Sequence, residues 1–170
     1  MAYAENTTVP AEKSRAEIDA LVHKYGATSF SYMTEKQEGR ELAAIMFSME
    51  NRYVRFVMPL PSRDDPQFWR HSRGRRTPEA ARKQWDTAVR SSWRALLLAI
   101  KAKLESVERD ISTFEQEFLA HIVMPDNRTL GEHVIPLVGQ AYASGQMPNL
   151  NRLALGPASD FVDGEVIGGE

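Results

Sequence analysis

The chain has 170 residues, of which 42% are hydrophobic and 26% are charged, and these values exclude a wholly disordered protein. It contains no cysteine, which excludes disulfides, thiolate metal sites and a cysteine nucleophile. The net charge of −2 hides an uneven distribution, because residues 63–103 carry eleven Lys or Arg against four Asp or Glu, a net of +7. The electrostatic field of a chain with charges separated in this way can steer an anionic partner.

The composition of the chain changes towards its ends. The first fifteen residues have neither the cationic start nor the apolar segment of a signal peptide, so we expect a cytoplasmic protein. The apolar runs are too short to span a bilayer, so we expect no membrane partner. We predict that residues 1–9 are flexible, that residues 10–147 form a single α+β domain, and that residues 148–170 form a flexible acidic tail.

Helical and strand patterns follow each other in the first half of the chain. A helix is predicted from about Pro10 to Tyr25, because apolar residues recur at helical spacing and Gly26 follows as a stop signal. A three-stranded antiparallel meander is predicted from three stretches, TSFSYM, LAAIMFSM and RYVRFVM. The charged stretch EKQEGRE is predicted to be the loop between the first two strands.

The turn between the second and third strands predicts their register. The dipeptide Glu-Asn at 50–51 is predicted to be a two-residue hairpin loop, because Asn tolerates the left-handed backbone that such a loop requires. Phe47 then pairs with Val54, and Ile45 pairs with Phe56. Because successive residues of a strand point to opposite faces, these four side chains are predicted to form the core face of the sheet.

A long helix is predicted after the sheet. Prolines end the last strand, and residues 62–77 are predicted to be a loop or a short helix around 67–70. Thr77 and Pro78 supply an N-cap and a first-turn proline for a helix of about thirty residues. The predicted apolar stripe consists of Trp85, Val89, Trp93, Leu96, Ile100, Leu104 and Val107, and a basic stripe beside it consists of Lys83, Arg90, Arg94 and Lys101.

Two further helices are predicted near the C-terminus. Capping-box patterns begin at Thr113 and at Thr129, and stop signals follow at Pro125 and Gly145. The predicted fold class is therefore α+β, with an N-terminal helix, a three-stranded antiparallel sheet, a long helix and two C-terminal helices. The long helix could also pair with a second copy of the chain.

Residues with catalytic potential are few. The four histidines, at 23, 71, 121 and 133, share no metal-ligand spacing, and the common phosphate-loop and nucleophile motifs are absent. We therefore expect no cofactor and no metal, and we favour a protein without enzymatic activity. Asp64 and Asp65 could hold Mg²⁺ beside a phosphate, but an aspartate before a proline is typical of a turn.

The clearest functional signal is RHSRGRRTPEAARKQW, residues 70–85, which holds five arginines and a lysine against one acid. Phosphate binding requires several cationic side chains on one surface, and the planar arginine side chain can grip a phosphate at two points. We therefore predict a surface that binds nucleic acid without base-specific contacts. Its predicted residues are Arg70, Arg73, Arg75, Arg76, Arg82, Lys83, Arg90 and Arg94.

Other interpretations of this region stay open. Phe68 and Trp69 could stack on bases if they are exposed, whereas Trp85 and Trp93 are predicted to be core anchors. The arginines could instead form a solvated face, or balance the acids of the chain's own tail. The same basic face could also bind an acidic or nucleic-acid-binding groove on a host protein.

Two resemblances extend these expectations. The order of elements over residues 11–108 is similar to that of double-stranded RNA-binding domains, which carry a basic cluster at the start of their last helix. At the level of sequence, VPAEKSRAEIDALVHKYGA, RFVMPLP and SSWRALLLAIKAKLESVERDISTFEQEFLAHIVMPDNRTLGE resemble an uncharacterised family of tailed bacteriophages and prophages, over about residues 9–150.

The phage resemblance brings no known activity, but it implies a setting. It implies a phage origin and the cytoplasm of a bacterial host, where small accessory proteins of DNA metabolism or host take-over are common. Together with the basic segment, our first hypothesis is a nucleic-acid-binding protein that acts in DNA replication, recombination or repair. The alternative partner is a host protein, and the chain would then be an effector such as an inhibitor of a host nuclease or of a CRISPR complex.

Overall fold

The computed structural model describes residues 7–37, 39–72 and 74–148. Residues 1–6 and 149–170, which hold most of the predicted flexible N-terminus and acidic tail, lie outside the described residues. The predicted α+β fold class and its order of elements are confirmed. The described elements are α1 (Ala11–Lys24), β1 (Ser29–Gln37), β2 (Arg40–Met49), β3 (Arg52–Pro59), α2 (Pro66–Trp69), β4 (Arg70–His71), β5 (Gly74–Arg75), α3 (Pro78–Glu108), α4 (Phe114–Phe118), a 3-10 turn (Leu119–His121) and α5 (Leu130–Ser144).

The chain divides into two compact units, one that ends at Gly131 and one that begins at Glu132. The first unit contains both sheets and the helices α1 to α4, and the second contains most of α5. The single domain over residues 10–147 stays a prediction. Within the described ranges, no helix combines the length and the apolar character that crossing a bilayer requires.

The first helix begins and ends close to the predicted residues. Pro10 is the N-cap of α1 and Tyr25 its C-cap. Gly26 follows with a φ of +97°, a conformation that glycine adopts without the steric cost of a side chain. Ile18 and Val22 are fully buried, and their face of α1 packs against the hydrophobic core.

The predicted register of the second hairpin is confirmed. The backbone at residues 50–51 has φ values of +52° and +58°, as a tight two-residue loop requires. Phe47 pairs with Val54 and Ile45 with Phe56, and all four side chains are buried in the core. One short turn therefore determines which face of the sheet is covered by helices.

The predicted loop between the first two strands is wrong. Five of the seven residues of EKQEGRE belong to the strands, because β1 and β2 pair continuously from Ser29 opposite Ser48 to Gln37 opposite Arg40. This end of the hairpin is exposed on both faces, so charged side chains do not oppose strand formation there. Backbone hydrogen bonds between β1 and β2 hold this end of the hairpin together, and the facing pair of Lys36 and Glu41 has opposite charges.

The helix that was predicted to run from Thr113 to Pro125 is also shorter than expected. The capping box between Thr113 and Gln116 is present, but α4 ends at Phe118 and a 3-10 turn follows. The chain then becomes extended, and the backbone N–H of Val123 donates to the carbonyl of Tyr53 at 2.8 Å. Pairing with the free edge of β3 thus replaces the last turns of the predicted helix.

The long helix α3 supplies much of the core. The Thr77 hydroxyl caps it by accepting from the backbone N–H of Ala80 at 3.3 Å, as predicted. The buried face of α3 includes Leu97, which the predicted stripe omitted, whereas Trp85 at the N-terminal end is half buried. The fully or nearly fully buried residues of α3 are Ala81, Trp93, Leu97, Ile100 and Leu104.

Candidate nucleic-acid interface

A short helix and a hairpin precede α3, and the strands of the hairpin carry two of the predicted basic residues, Arg70 and Arg75. Asp65 caps α2 by accepting from the backbone N–H of Gln67 at 3.0 Å. The strands β4 and β5 then pair as a small antiparallel hairpin, called here the basic hairpin. In its register Arg70 lies directly opposite Arg75. The predicted short helix around 67–70 is present as α2, whereas the hairpin after it was not predicted.

Arg76 holds the basic hairpin against α2. Its guanidinium Nη1 donates to the carbonyls of Gln67 at 2.9 Å and Phe68 at 3.3 Å, and also to the carbonyl of Arg70. Its backbone N–H donates to the carbonyl of Trp69 at 2.8 Å. A cation at the C-terminal carbonyls of a helix is favourable, so the side chain of Arg76 has an internal structural role.

Two tryptophans fix the loop before α2. The indole N–H of Trp69 donates to the carbonyl of Arg63 at 2.8 Å, and that of Trp85 donates to the carbonyl of Pro61 at 2.7 Å. Both indoles are half buried. Phe68 is 6% exposed, so the idea that Phe68 stacks on bases is wrong, while Trp93 is a core anchor as predicted.

A cleft of about 700 Å³ opens beside the basic hairpin. The guanidinium carbon of Arg75 lies 5.5 Å from the centre of the Trp69 ring, within reach of a cation–π contact. The cleft therefore joins an aromatic wall to two arginines and one acid. Its lining consists of Asp64, Pro66, Trp69, Arg70, His71, Gly74 and Arg75.

Five exposed cations of this region, called here the unpaired cations, form no ion pair with an acidic side chain within the described ranges. One of them, the guanidinium group of Arg63, covers a face of the Trp85 ring at 4.1 Å from its centre. Arg63 was not among the predicted site residues. The unpaired cations are Arg63, Arg70, Arg75, Arg82 and Lys83.

The predicted residues further along α3 are differently engaged. Arg94 forms an ion pair with Glu17 of α1, with 2.6 Å between the nitrogen and the oxygen. Arg90 donates to the Thr87 hydroxyl at 2.9 Å, and its Nε atom is buried. Arg94 lies about 18 Å along the helix axis from Arg82 at 1.5 Å per residue. Of the predicted basic stripe, Arg90 and Arg94 are thus half buried and engaged within the protein, whereas Lys83 and Lys101 are exposed. Arg73 lies outside the described residues.

The acidic pair of this region has a structural use. Both oxygens of Asp65 bind Gln67, one through its backbone N–H at 3.0 Å and one through its side-chain amide at 2.8 Å. This geometry agrees with a turn and helix cap rather than with a pair of magnesium ligands. In the part of the chain that the structure describes, no three His, Asp or Glu side chains come together as metal ligands.

Tyr25, Glu117 and His121 each have a shifted pKa, and all of them lie outside the basic hairpin. The hydroxyl of Ser112 donates to the carboxylate of Glu117 at 2.6 Å, and this hydrogen bond lowers the pKa of Glu117. Burial lowers the pKa of His121, with a contribution from the nearby ammonium group of Lys103. The His121 ring also stacks on Phe56, with 3.8 Å between ring centres.

Comparisons of the chain with protein-family models, with curated proteins and with solved structures found no match. The function is therefore inferred from the residues of the chain itself. A sequence signal for the basic hairpin did exist, because a serine and a glycine within RHSRGR are typical of a short turn between two extended segments. For Arg63, which precedes two aspartates in a proline-rich loop, no such signal stands out.

Proposed function

We propose that this protein binds nucleic acid through its phosphates, at the surface formed by the basic hairpin and the start of α3. The observation that carries the proposal is the pairing of Arg70 with Arg75, directly opposite each other in an exposed two-stranded hairpin. Like charges in this arrangement destabilise a sheet. A phosphate bound between them would remove the repulsion, because arginine side chains can bind its oxygens at two points.

The other unpaired cations support the same proposal. Arg82 and Lys83 lie in the first turns of α3, immediately after the basic hairpin, and both are exposed. A phosphate backbone carries charges at regular intervals, so several cations on one surface bind it together. Arg76 stabilises the hairpin in this proposal, and Arg94 contributes to packing rather than to phosphate contacts.

The cellular setting is proposed from the resemblance over about residues 9–150. It implies a phage-encoded accessory protein that acts in DNA replication, recombination or repair. Contacts to phosphates position a protein without reading the base sequence. We therefore propose binding without sequence specificity.

Fluorescence anisotropy with single- and double-stranded DNA and RNA tests the proposal. The double variant Arg70→Gln/Arg75→Gln removes the facing charges and is expected to weaken binding to every ligand at least about tenfold at low salt. The matched control is Arg109→Gln, which removes an exposed arginine beyond the far end of α3, about 40 Å from Arg82 along the helix axis. We expect the control variant to bind like the unchanged protein.

The contradicting results are equally specific. An equal loss of binding free energy per charge removed, in the double variant and in Arg109→Gln, would show that only the overall charge matters. No binding to any of the four nucleic acids at low salt would exclude the proposal. The protein-binding alternative would then become the leading candidate, and purification of a complex from bacterial lysate would test it.

A further inference from the structure

The Trp69 ring lines a second depression besides the cleft at the basic hairpin. This second depression is a pocket of about 160 Å³, and it lies between the two half-buried tryptophans of the region. The cleft and the pocket are therefore neighbours that share one aromatic wall. The pocket is lined by Arg63, Trp69, Pro78, Ala81, Arg82 and Trp85.

The chemistry of the pocket suits a flat ring. The indole N–H groups of Trp69 and Trp85 are already bound to backbone carbonyls at 2.8 Å and 2.7 Å, so both rings are held in place. The Arg63 guanidinium group covers one face of Trp85 at 4.1 Å, and a base that stacks on that face would displace it. Ala81 contributes only a methyl group and is 2% exposed. Aromatic and apolar walls of this kind bind planar rings by stacking.

The cations of the pocket indicate that the ring belongs to an anionic ligand. Arg63 and Arg82 both line the pocket, both are exposed, and both belong to the unpaired cations. A ligand that carries a phosphate beside a flat ring would satisfy the apolar walls and the two guanidinium groups together. A nucleotide has this combination.

The size of the pocket limits the ligand further. An apolar cavity of about 150 Å³ is large enough for a benzene ring. The pocket can thus take one base, whereas a stacked base pair inside a duplex is both too large and inaccessible to it. A strand whose phosphates lie in the cleft would also have its bases close to the pocket, because Trp69 belongs to both.

We propose that the pocket between Trp69 and Trp85 binds one unpaired base, and that the nucleic-acid partner is therefore single-stranded. This inference rests on the proposed function, because the phosphates on either side of the base are held by Arg63, Arg82 and the cleft. The pocket adds a preference for single strands, which phosphate contacts alone do not produce.

The test compares two single strands with the same number of phosphates. One is an oligothymidylate, and the other is an abasic strand of equal length, which keeps the sugar and phosphate groups but has no bases. We expect the unchanged protein to bind the oligothymidylate about 5- to 150-fold more tightly, the range that stacking of one base provides.

A variant that fills the pocket provides the second comparison. Ala81→Leu places a larger side chain between the tryptophans and keeps every charge. We therefore expect this variant to bind both strands with the affinity that the unchanged protein has for the abasic strand. The matched control is Ala99→Leu, the same substitution at an exposed position of α3, which should keep the preference. Circular dichroism checks that both variants fold.

The outcomes separate the two proposals. If the protein binds both strands equally while both bindings depend on salt, the pocket inference is wrong and the phosphate proposal stands. If neither strand binds at low salt, both proposals are wrong. Should Ala81→Leu fail to fold, the comparison of the two strands with the unchanged protein still decides.

Discussion

The guanidinium group of Arg94 and the carboxylate of Glu17 lie 2.6 Å apart and join α3 to α1. Both side chains are about one third exposed, so solvent weakens their attraction without abolishing it. The pair explains why a basic stripe read from helical periodicity overestimates the surface available to a ligand. A cation that faces an acid of its own chain contributes less to an anionic partner.

We predict that a double-mutant cycle with Arg94→Ala and Glu17→Ala gives a coupling energy of about 0.2–1 kcal/mol, the range of partly exposed ion pairs. Urea unfolding of the four proteins measures it. Arg94→Ala should also leave the salt dependence of nucleic-acid binding unchanged. A lower salt slope in this variant would assign Arg94 to the phosphate surface instead.

Arg76 should control the local stability of the basic hairpin. In Arg76→Lys the charge stays, but the ammonium group cannot reproduce the contacts of the guanidinium group with the carbonyls of Gln67, Phe68 and Arg70. A hydrogen bond to a charged group contributes about 1.5–3 kcal/mol, so amides of the hairpin should exchange at least about tenfold faster. Hydrogen exchange measures this effect.

The control for this experiment is Arg70→Lys, because in the described structure the Arg70 side chain forms neither an ion pair nor a hydrogen bond. Exchange in the hairpin should be the same as in the unchanged protein. Equal acceleration in both variants would contradict the anchoring role of Arg76.

His121 should make the stability of the fold depend on pH. Burial and the nearby Lys103 lower its pKa below the ordinary value of 6.5, so the unfolded chain takes up a proton more readily than the folded one. The titration of His121 therefore costs the fold no stability above about pH 6.5. The free energy of unfolding decreases as the pH falls from there towards the pKa of His121 in the folded protein. Urea unfolding at pH 7.5 and pH 5.5 measures the loss.

The variant His121→Phe keeps the stacking on Phe56 and removes the titration. Its free energy of unfolding should change less between the two pH values than that of the unchanged protein. The lowered pKa of Glu117 acts in a different window, because a carboxylate of this kind loses its contribution only below its ordinary value of 4.5. An equal pH dependence in both proteins would rule out the role of His121.

Two glycines of α5 should respond with opposite signs to the same substitution. A methyl group at Gly131 would lie 2.6 Å from the carbonyl oxygen of Ala120, whereas one at Gly139 would meet nothing within 4 Å. We expect Gly131→Ala to destabilise the first unit by about 1–3 kcal/mol, because backbone must move to relieve the clash.

Gly139→Ala should instead stabilise α5 by about 1 kcal/mol, since alanine loses less backbone entropy in a helix. Thermal unfolding of the first variant and hydrogen exchange of α5 in the second measure these effects. Stabilisation by Gly131→Ala would show that Ala120 is not a close neighbour in solution.

The parts of the fold that were predicted correctly depend on local signals. The register of Phe47 with Val54 follows from one two-residue turn and from the alternation of the strands beside it. The start of α3 follows from Thr77 and Pro78. In both cases the residues that determine the structure are adjacent in sequence, so periodicity and turn chemistry are sufficient.

The errors in the predicted fold arise where a residue distant in sequence supplies a hydrogen bond, or where a strand extends beyond the core. Val123 leaves its predicted helix because the Tyr53 carbonyl at the edge of β3 accepts a hydrogen bond from the Val123 backbone N–H. Lys36 lies in a strand because pairing continues beyond the region that the core covers. At the site, the sequence identified the charge of Arg76 and Arg94 but not their internal partners, which come from the tertiary fold.

The salt dependence of binding tests the phosphate proposal most directly. With five phosphate contacts, the slope of log K against log salt concentration should be about −3.5 for a single strand, since each contact contributes about 0.7. Single variants, each with one unpaired cation changed to glutamine, should reduce the magnitude of the slope by about 0.7 each. A slope near zero, or an unchanged slope in these variants, would contradict binding through the phosphates at this surface.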